Sequence, residues 1–187
     1  FPTTCALEIT LLRPQVWNLP EHLLGDAMRF VACHEVGHSL GLRHNMIGSS
    51  AFPVDSLRNN NFVKKWGTST SIMDYSRYNY VAQPGDGVEV FSPQIGVYDI
   101  FAIEYGYRWS GKKNPYAEES FLADLLNNHS DDIYRYSEAQ DARGAVDPRA
   151  QTEDLGDDPI KASQYGIANL KRLMPKLVPI TNTGKPK

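Results

Sequence analysis

The stretch that decides the fold is HEVGHSLGLRH, residues 34–44. His34 and His38 stand at positions i and i+4, so on a helix their Cβ atoms lie about 5–6 Å apart on one face. Two imidazoles at that spacing can converge on one zinc ion, with Zn–N distances of about 2.0–2.1 Å. Glu35 is rotated to the edge of that face, where it can act as a general base on water rather than bind the metal. The spacing therefore predicts a metal-binding helix.

A third ligand has to come from outside that helix. Gly41 can adopt a positive φ and end the helix, and His44 then approaches from a new direction. Three protein ligands leave a fourth position open, which is typical of a catalytic zinc site rather than a structural one. The bare HExxH pattern also occurs in helices that merely contain two histidines. The longer HExxHxxGxxH pattern fixes more positions, and we interpret it as a catalytic Zn²⁺ site.

Composition is that of an ordinary globular domain. The chain has 187 residues, 41% of them hydrophobic and 22% charged, with a net charge of -3. This length predicts one domain, and the weakly acidic charge argues against a nucleic-acid partner. No apolar run approaches the roughly 20 residues needed to span a bilayer. The chain starts at Phe1 and ends in VPITNTGKPK, so we expect a piece of a longer parent chain.

The number of cysteines does not indicate the cellular compartment of the protein. Cys5 and Cys33 are the two cysteines of the chain, which is too few for a disulfide framework. We expect both to be free buried thiols, with a mutual disulfide as the alternative.

Proline, glycine and capping residues mark the predicted secondary structure. Ser, Asn or Asp followed by Pro is typical of a helix start. The predicted helices are about 20–25 to 40, 93–105, 115–127 and 159–173, the last ending before Pro175. The strand candidates are Ala6–Leu11, Val88–Phe91 and Ile133–Tyr136. Residues 45–71 contain Gly, Ser and Asn clusters and are predicted to be irregular.

The zinc helix carries a second, apolar face. Met28, Ala32, Val36 and Leu40 repeat every four residues on the side away from the histidines. We expect that face to be packed. The acidic residues 141–158 are interpreted as a solvated loop; a calcium site there is the alternative, although the EF-hand spacing is missing.

The sequence resembles the metzincin metallopeptidases, whose signature is HExxHxxGxxH followed by a Met-turn. Ser71 to Tyr75, SIMDY, matches the Met-turn, in which Met73 would support the zinc ligands from below. The resemblance implies that Tyr75 stabilises the oxyanion of the transition state; a packing tyrosine is the alternative. Asn45 and Asp74 depart from the astacin-like pattern, which has an acidic residue and a histidine there. Together with the late segment 147–173, the motifs are most similar to the large secreted bacterial Met-zincin group.

This resemblance implies an α+β fold, mostly helical in this chain. A metzincin catalytic domain places a twisted sheet before the zinc helix, but only residues 1–24 at most precede it here. We therefore expect the upper sheet to be largely missing. The predicted domain spans residues 1–175, with the zinc helix at about 20–41, the Met-turn at 71–75 and a C-terminal subdomain at 76–175. Residues 176–187 are predicted to be a linker or tail.

The expected function is zinc-dependent hydrolysis of a peptide or protein substrate. Glu35 is the predicted general base, and residues 76–91 are expected to line a substrate pocket, with Tyr78, Tyr80 and Phe91 making it apolar. Two alternatives are a zinc-stabilised scaffold without turnover and a zinc hydrolase of a non-peptide amide. By resemblance, the protein is expected to be secreted, periplasmic or at the cell surface.

Overall fold

The structure, a computed structural model, describes residues 21–138 and 147–181. Its α-helices are α1 (Glu21–Ser39), α2 (Asn60–Trp66), α3 (Val97–Tyr107), α4 (Pro115–Asn127) and α5 (Pro159–Thr181). Short 3-10 helices lie at Gly48–Ala51, Ser56–Arg58 and Asp132–Tyr134. Within these ranges no residue is in a β-strand, so the mostly helical character is as predicted. No helix in the described ranges is long and apolar enough to cross a membrane.

Side-chain caps explain where α4 and α5 begin. The Asn114 side chain accepts a hydrogen bond from the Ala117 N–H at 3.0 Å, and Asp158 accepts one from the Ile160 N–H at 3.0 Å. Each cap is followed by a proline at the first helical position, where its missing N–H costs nothing. Both helix starts are therefore as predicted. The predicted end before Pro175 is wrong: α5 continues to Thr181, although a proline inside a helix removes one backbone hydrogen bond and crowds the carbonyl of the preceding turn.

Helix α3 begins later than predicted. Its N-cap is Gly96, whose N–H donates to the Asp99 carboxylate at 2.7 Å. That bond satisfies an N–H that the first turn leaves without a helical partner. Asp99, rather than the Ser92-Pro93 pair, therefore sets the start of the helix at Val97.

The predicted strands are not present among the described residues. Residues 88–91 have no regular secondary structure, and the side chains of Val88 and Phe91 are buried in the core. Ile133–Tyr136 overlaps a 3-10 helix. The candidate Ala6–Leu11 lies outside the described residues. Residues 45–71, predicted to be irregular, contain α2, whose N-cap Asn59 accepts from two backbone N–H groups at 3.0 and 3.1 Å.

The main hydrophobic core lies beside the site rather than under α1. It is formed by side chains from residues 52–91 together with one residue before α5 and one on it: Phe52, Val54, Leu57, Val63, Val81, Ala82, Val88, Phe91, Leu155 and Ala162. Asn169 on α5 donates to the Tyr80 carbonyl at 2.8 Å and to the Ala82 carbonyl at 3.0 Å. A smaller cluster of Met46, Ile47 and Ala150 contacts Tyr75. The core therefore supports the segment that follows the third histidine.

The prediction that the apolar face of α1 is packed is wrong for the described residues. Met28 is 66% exposed, Val36 56% and Leu40 43%. The buried residues of α1 are His34 and Gly37, because the helix contacts the rest of the described chain along that side. On the opposite face, Val36 and Leu40 line an open groove whose other wall is formed by Ile95, Ile100 and Ile103.

Candidate metal centre

The three predicted ligands meet in space. His34 is buried on α1, His38 follows one turn later, and His44 lies in the loop after the helix. One ligand atom from each comes within 4.8 Å of the others. In the described ranges this is the one group of three or more His, Cys, Asp or Glu side chains placed to hold a metal.

Backbone carbonyls fix the orientation of two imidazoles. His34 Nδ1 lies 2.8 Å from the Ile72 carbonyl oxygen, and His38 Nδ1 lies 2.9 Å from that of Leu42. A carbonyl can only accept, so each Nδ1 carries the proton and donates it. Each Nε2 is therefore left with a lone pair for a metal, and metal-binding histidines are commonly oriented by such a bond from their other nitrogen.

The separation of the ring nitrogens fits a tetrahedral zinc. His38 Nε2 and His44 Nε2 are 3.1 Å apart. Two nitrogens bound to one tetrahedral zinc at about 2.0–2.1 Å would be roughly 3.3 Å apart. The donor set, the spacing of this pair and the tautomers of His34 and His38 therefore fit this ion.

The end of α1 explains how His44 reaches the site. Gly41 has a φ of +86°, the region that glycine adopts without a steric penalty. The Gly41 N–H donates to the His38 carbonyl at 2.9 Å and the Leu42 N–H to the Gly37 carbonyl at 3.0 Å. This pair of bonds is a Schellman motif. It turns the chain toward the histidines and also brings the Leu42 carbonyl to His38 Nδ1.

The predicted Met-turn lies directly beneath the zinc helix. Met73 is fully buried, and a Cβ added to Gly37 would overlap the Met73 sulfur. The glycine therefore lets the methionine approach the helix backbone. The Met73 carbonyl accepts from the Asn45 N–H at 3.1 Å, which ties the turn to the residue after His44.

Asp99 at the start of α3 holds the Met-turn in place through hydrogen bonds. Its carboxylate accepts from the Ser71 hydroxyl, the Ile72 N–H and the Gly96 N–H, each at 2.7 Å. Burial raises the pKa of this carboxyl, and the three hydrogen bonds oppose that shift. Asp99 thus joins α3 to Ile72, the residue whose carbonyl orients His34.

Two further acids, Asp74 in the Met-turn and Asp154, contact Ser49. The Asp74 carboxylate accepts from the Ser49 N–H, and Asp154 accepts from the Ser49 hydroxyl at 2.9 Å. Burial is the main cause that raises the pKa of Asp74 to about 8 and that of Asp154 to about 6. Asp74, a departure from the astacin-like pattern, therefore anchors the loop that contains Ser49.

Glu35 and Tyr75 line one cavity with the first ligand. The cavity is about 320 Å³ and is lined by Phe30, Val31, His34, Glu35, Tyr75, Ser76, Arg77 and Glu153. The Tyr75 ring centroid lies 5.5 Å from that of His34 and 4.5 Å from that of His44. The predicted base and the predicted oxyanion-stabilising residue therefore face the same space.

The predicted apolar wall of this cavity is wrong. Of residues 76–91, the cavity is lined by Ser76 and Arg77, because the later aromatic side chains pack into or against the core. Arg77 forms an ion pair with Glu153 instead. Glu153 has a φ of +70° and its N–H donates to the Tyr75 carbonyl at 3.1 Å. The polar end of the cavity is therefore held to Tyr75, the last residue of the Met-turn.

Several residues of the site have no local sequence signal. Asn45 is fully buried; its amide donates to the Arg135 carbonyl at 2.9 Å and accepts from the Ser137 N–H at 3.0 Å. An acid at that position could not donate, which accounts for the departure from the astacin-like pattern. Asp154 and Glu153 come from the acidic loop, and only a tertiary contact brings them to the site.

The calcium alternative for the acidic loop is not supported by its described part. Asp147 pairs with Arg149, and Asp157 accepts from the Val54 N–H at 3.0 Å. Asp158 caps α5. These acids are engaged with protein groups, while residues 139–146 lie outside the described ranges.

Comparison with known proteins identifies the family. Residues 17–186 match the profile of the family described as Met-zincin. The chain belongs to the Met-zincin family. No curated protein and no solved structure matches it significantly. Membership suggests a zinc metallopeptidase, and the histidine cluster of this Met-zincin could hold the metal.

The thiol prediction is partly corrected. Cys33 of the Met-zincin chain is free, but it is half-exposed on α1 rather than buried. Cys5 lies outside the described residues.

Proposed function

We propose that this chain is a zinc-dependent metalloendopeptidase. One observation carries the proposal: three imidazoles converge, carbonyls hold the Nδ1 protons of His34 and His38, and Glu35 and Tyr75 line the cavity beside them. Zinc, when bound by His34, His38 and His44, would supply Lewis acidity, which lowers the pKa of water to about 7 and polarises a carbonyl.

The remaining roles belong to side chains of the cavity. Glu35 is exposed there, so its carboxylate can take a proton from the attacking water and pass it to the leaving amine. The Tyr75 hydroxyl can donate a hydrogen bond to the oxygen that becomes negative in the transition state. His34 and His44 contact the Tyr75 ring and restrict where that hydroxyl can move.

Replacing Glu35 tests this function. Glu35→Gln keeps the size of the side chain and removes its basicity, so zinc content should stay at one ion per chain while peptide hydrolysis falls by at least about 10²-fold. The control is Glu21→Gln in the exposed first turn of the same helix, which should leave hydrolysis unchanged. Undiminished turnover of Glu35→Gln with quenched fluorescent peptides would contradict the base assignment.

A second candidate is a zinc-stabilised scaffold without turnover. It is favoured by the lack of any β-strand in residues 21–138 and 147–181, because extended peptides bind many proteins by pairing with a sheet edge. A scaffold would bind zinc but give the same background hydrolysis in the native and Glu35→Gln proteins. A peptidase would instead lose its turnover on addition of a hydroxamate, which binds through the metal.

The substrate class also needs a direct test. A zinc site with a glutamate base can hydrolyse any activated carbonyl, so a non-peptide amide is the third candidate. Assaying peptides against small N-acyl amides separates the two. By family resemblance we propose that the protein acts outside the cytoplasm on a peptide or protein, and fractionation of the parent organism would test this.

A further inference from the structure

The cavity beside the metal centre has an ion pair at its polar end. Arg77 Nε and Nη2 donate to the two carboxylate oxygens of Glu153. Phe30 and Val31 of α1 form an apolar wall of the same cavity. The side chains of Arg77 and Glu153 are 51% and 52% exposed, and ion pairs with this exposure add little to stability. A contribution to folding therefore does not account for the position of this pair in the cavity.

Glu153 is held there in an unfavourable backbone conformation. Its φ is +70°, and in the described part of the chain it is the only residue other than glycine with a positive φ. Glycine and asparagine adopt this region more readily than glutamate does. Such strain is concentrated at binding and catalytic sites. Here it places a carboxylate against Arg77, and the Glu153 N–H donates to the carbonyl of Tyr75 at 3.1 Å.

The contact with Glu153 leaves a second edge of the Arg77 guanidinium for a ligand. Arginine has five N–H groups, and this contact uses one on Nε and one on Nη2. Within residues 21–138 and 147–181, Nη1 donates to no protein group. The edge formed by Nη1 and Nη2 has the fork geometry that binds a carboxylate through two parallel hydrogen bonds.

The charges around the cavity favour an anionic ligand group. Glu35 and Glu153 are acidic and Arg77 is basic, and zinc bound by three neutral imidazoles would add two positive charges. One positive charge is then in excess. A cationic side chain, by contrast, would have to displace Arg77 from Glu153 before it could form an ion pair.

We propose that Arg77 selects peptides that carry an acidic side chain next to the scissile bond. The inference rests on the proposed peptidase function, because it assigns the cavity to a substrate side chain. The substrate carboxylate would bind the second edge of Arg77, and its methylene groups would lie against Phe30 and Val31. The cavity volume of about 320 Å³ is at the lower end of the roughly 300–1,000 Å³ of ligand pockets, which suits a single side chain.

Binding of peptide hydroxamates tests the inference without turnover. Two compounds differ by a glutamate or a glutamine side chain next to the hydroxamate, so they share a shape and differ in charge. The zinc-loaded 187-residue chain should bind the glutamate compound at least about tenfold more tightly, as measured by calorimetry. Arg77→Gln should remove this preference without weakening the glutamine compound. Arg77→Glu should make a lysine compound the tightest of the three.

A matched control is Arg108→Gln. Arg108 also pairs with a glutamate and is 54% exposed, but it lies outside the cavity, so its replacement should leave the preference at the native value. Equal affinity of the native chain for the glutamate and glutamine compounds, or tighter binding of the lysine compound, overturns the role of Arg77. An unchanged preference in Arg77→Gln overturns it as well. If no hydroxamate binds, the inference falls together with the metal site.

Hydrolysis of the corresponding peptides separates this inference from the proposed function. Cleavage with equal kcat/KM for the glutamate and glutamine peptides overturns the selection and leaves the peptidase assignment intact. Tighter binding of the glutamate hydroxamate without cleavage of either peptide supports the role of Arg77 in binding an acidic group and contradicts the peptidase.

Discussion

The contact between Gly37 and Met73 can be tested by adding one methyl group. Gly37 lies inside α1, and a Cβ there would overlap the Met73 sulfur and lie 3.4 Å from its terminal methyl. Methionine is flexible, but this side chain is fully buried, so it cannot move away freely. We expect Gly37→Ala to force the Met-turn away from the zinc helix.

Two effects of opposite sign determine how Gly37→Ala changes the free energy of unfolding. Replacing glycine by alanine inside a helix stabilises it by about 1 kcal/mol. Overpacking a buried contact costs about 1–3 kcal/mol. The free energy of unfolding of Gly37→Ala should therefore be unchanged or lowered by up to about 2 kcal/mol relative to the native chain.

A control in the same helix isolates the packing effect. Gly25 has no atom within 4 Å of its added Cβ, so Gly25→Ala should gain the full helix propensity of about 1 kcal/mol. Urea unfolding of the metal-free proteins measures both values. The two variants should differ by about 1–3 kcal/mol.

A double-mutant cycle then assigns the difference to Met73. Valine at position 73 lacks the sulfur and the terminal methyl, so in Met73→Val the added Cβ at position 37 meets no obstacle. Gly37→Ala should then stabilise the chain by about 1 kcal/mol, as Gly25→Ala does. Equal stabilisation by Gly37→Ala and Gly25→Ala in the native background would refute the close packing of the Met-turn on α1.

Three further substitutions test the site. Asp99→Asn keeps the shape but weakens the bonds to Ser71, Ile72 and Gly96; zinc affinity, measured by competition with a chelator, should fall about 10–100-fold. Asp74→Asn should flatten the dependence of stability on pH. The folded-state pKa of Asp74 is raised from 3.8 to about 8, so the contribution of Asp74 to stability is fully present at low pH and is lost as the pH rises through this range; urea unfolding of both proteins at pH 5 and pH 9 checks this. Tyr75→Phe should lower kcat by about 10–10³-fold with little change in KM, as measured with a fluorogenic peptide.

The metal ligands could be predicted from sequence because their geometry is local. A helical i,i+4 pair fixes His34 and His38, and the glycine after the helix sets the turn that brings back His44. Each of these relations spans a few residues and follows from backbone geometry. The helix starts at Pro115 and Pro159 could be predicted for the same reason, since an Asn or Asp cap and a proline are adjacent in the chain.

The surroundings of the ligands could not be predicted, because they depend on contacts between distant segments. Asp99 lies 27 and 28 residues from its partners Ile72 and Ser71, and neither a motif nor a periodicity connects them. The sequence predicts that the aromatic residues after the Met-turn line the cavity, but the core competes for the same side chains and buries Phe91. The apolar face of α1 predicts burial, but Met28, Val36 and Leu40 are exposed in the described structure.

The two oriented histidines therefore depend on different parts of the fold. His38 donates to Leu42, whose carbonyl is placed by the Schellman motif at the end of α1. This orientation needs only α1 and its glycine. His34 donates to Ile72, which is held in turn by Asp99 at the start of α3. Zinc affinity should consequently respond to changes in α3 that never touch the metal, because α3 fixes one of the three ligands through the Met-turn.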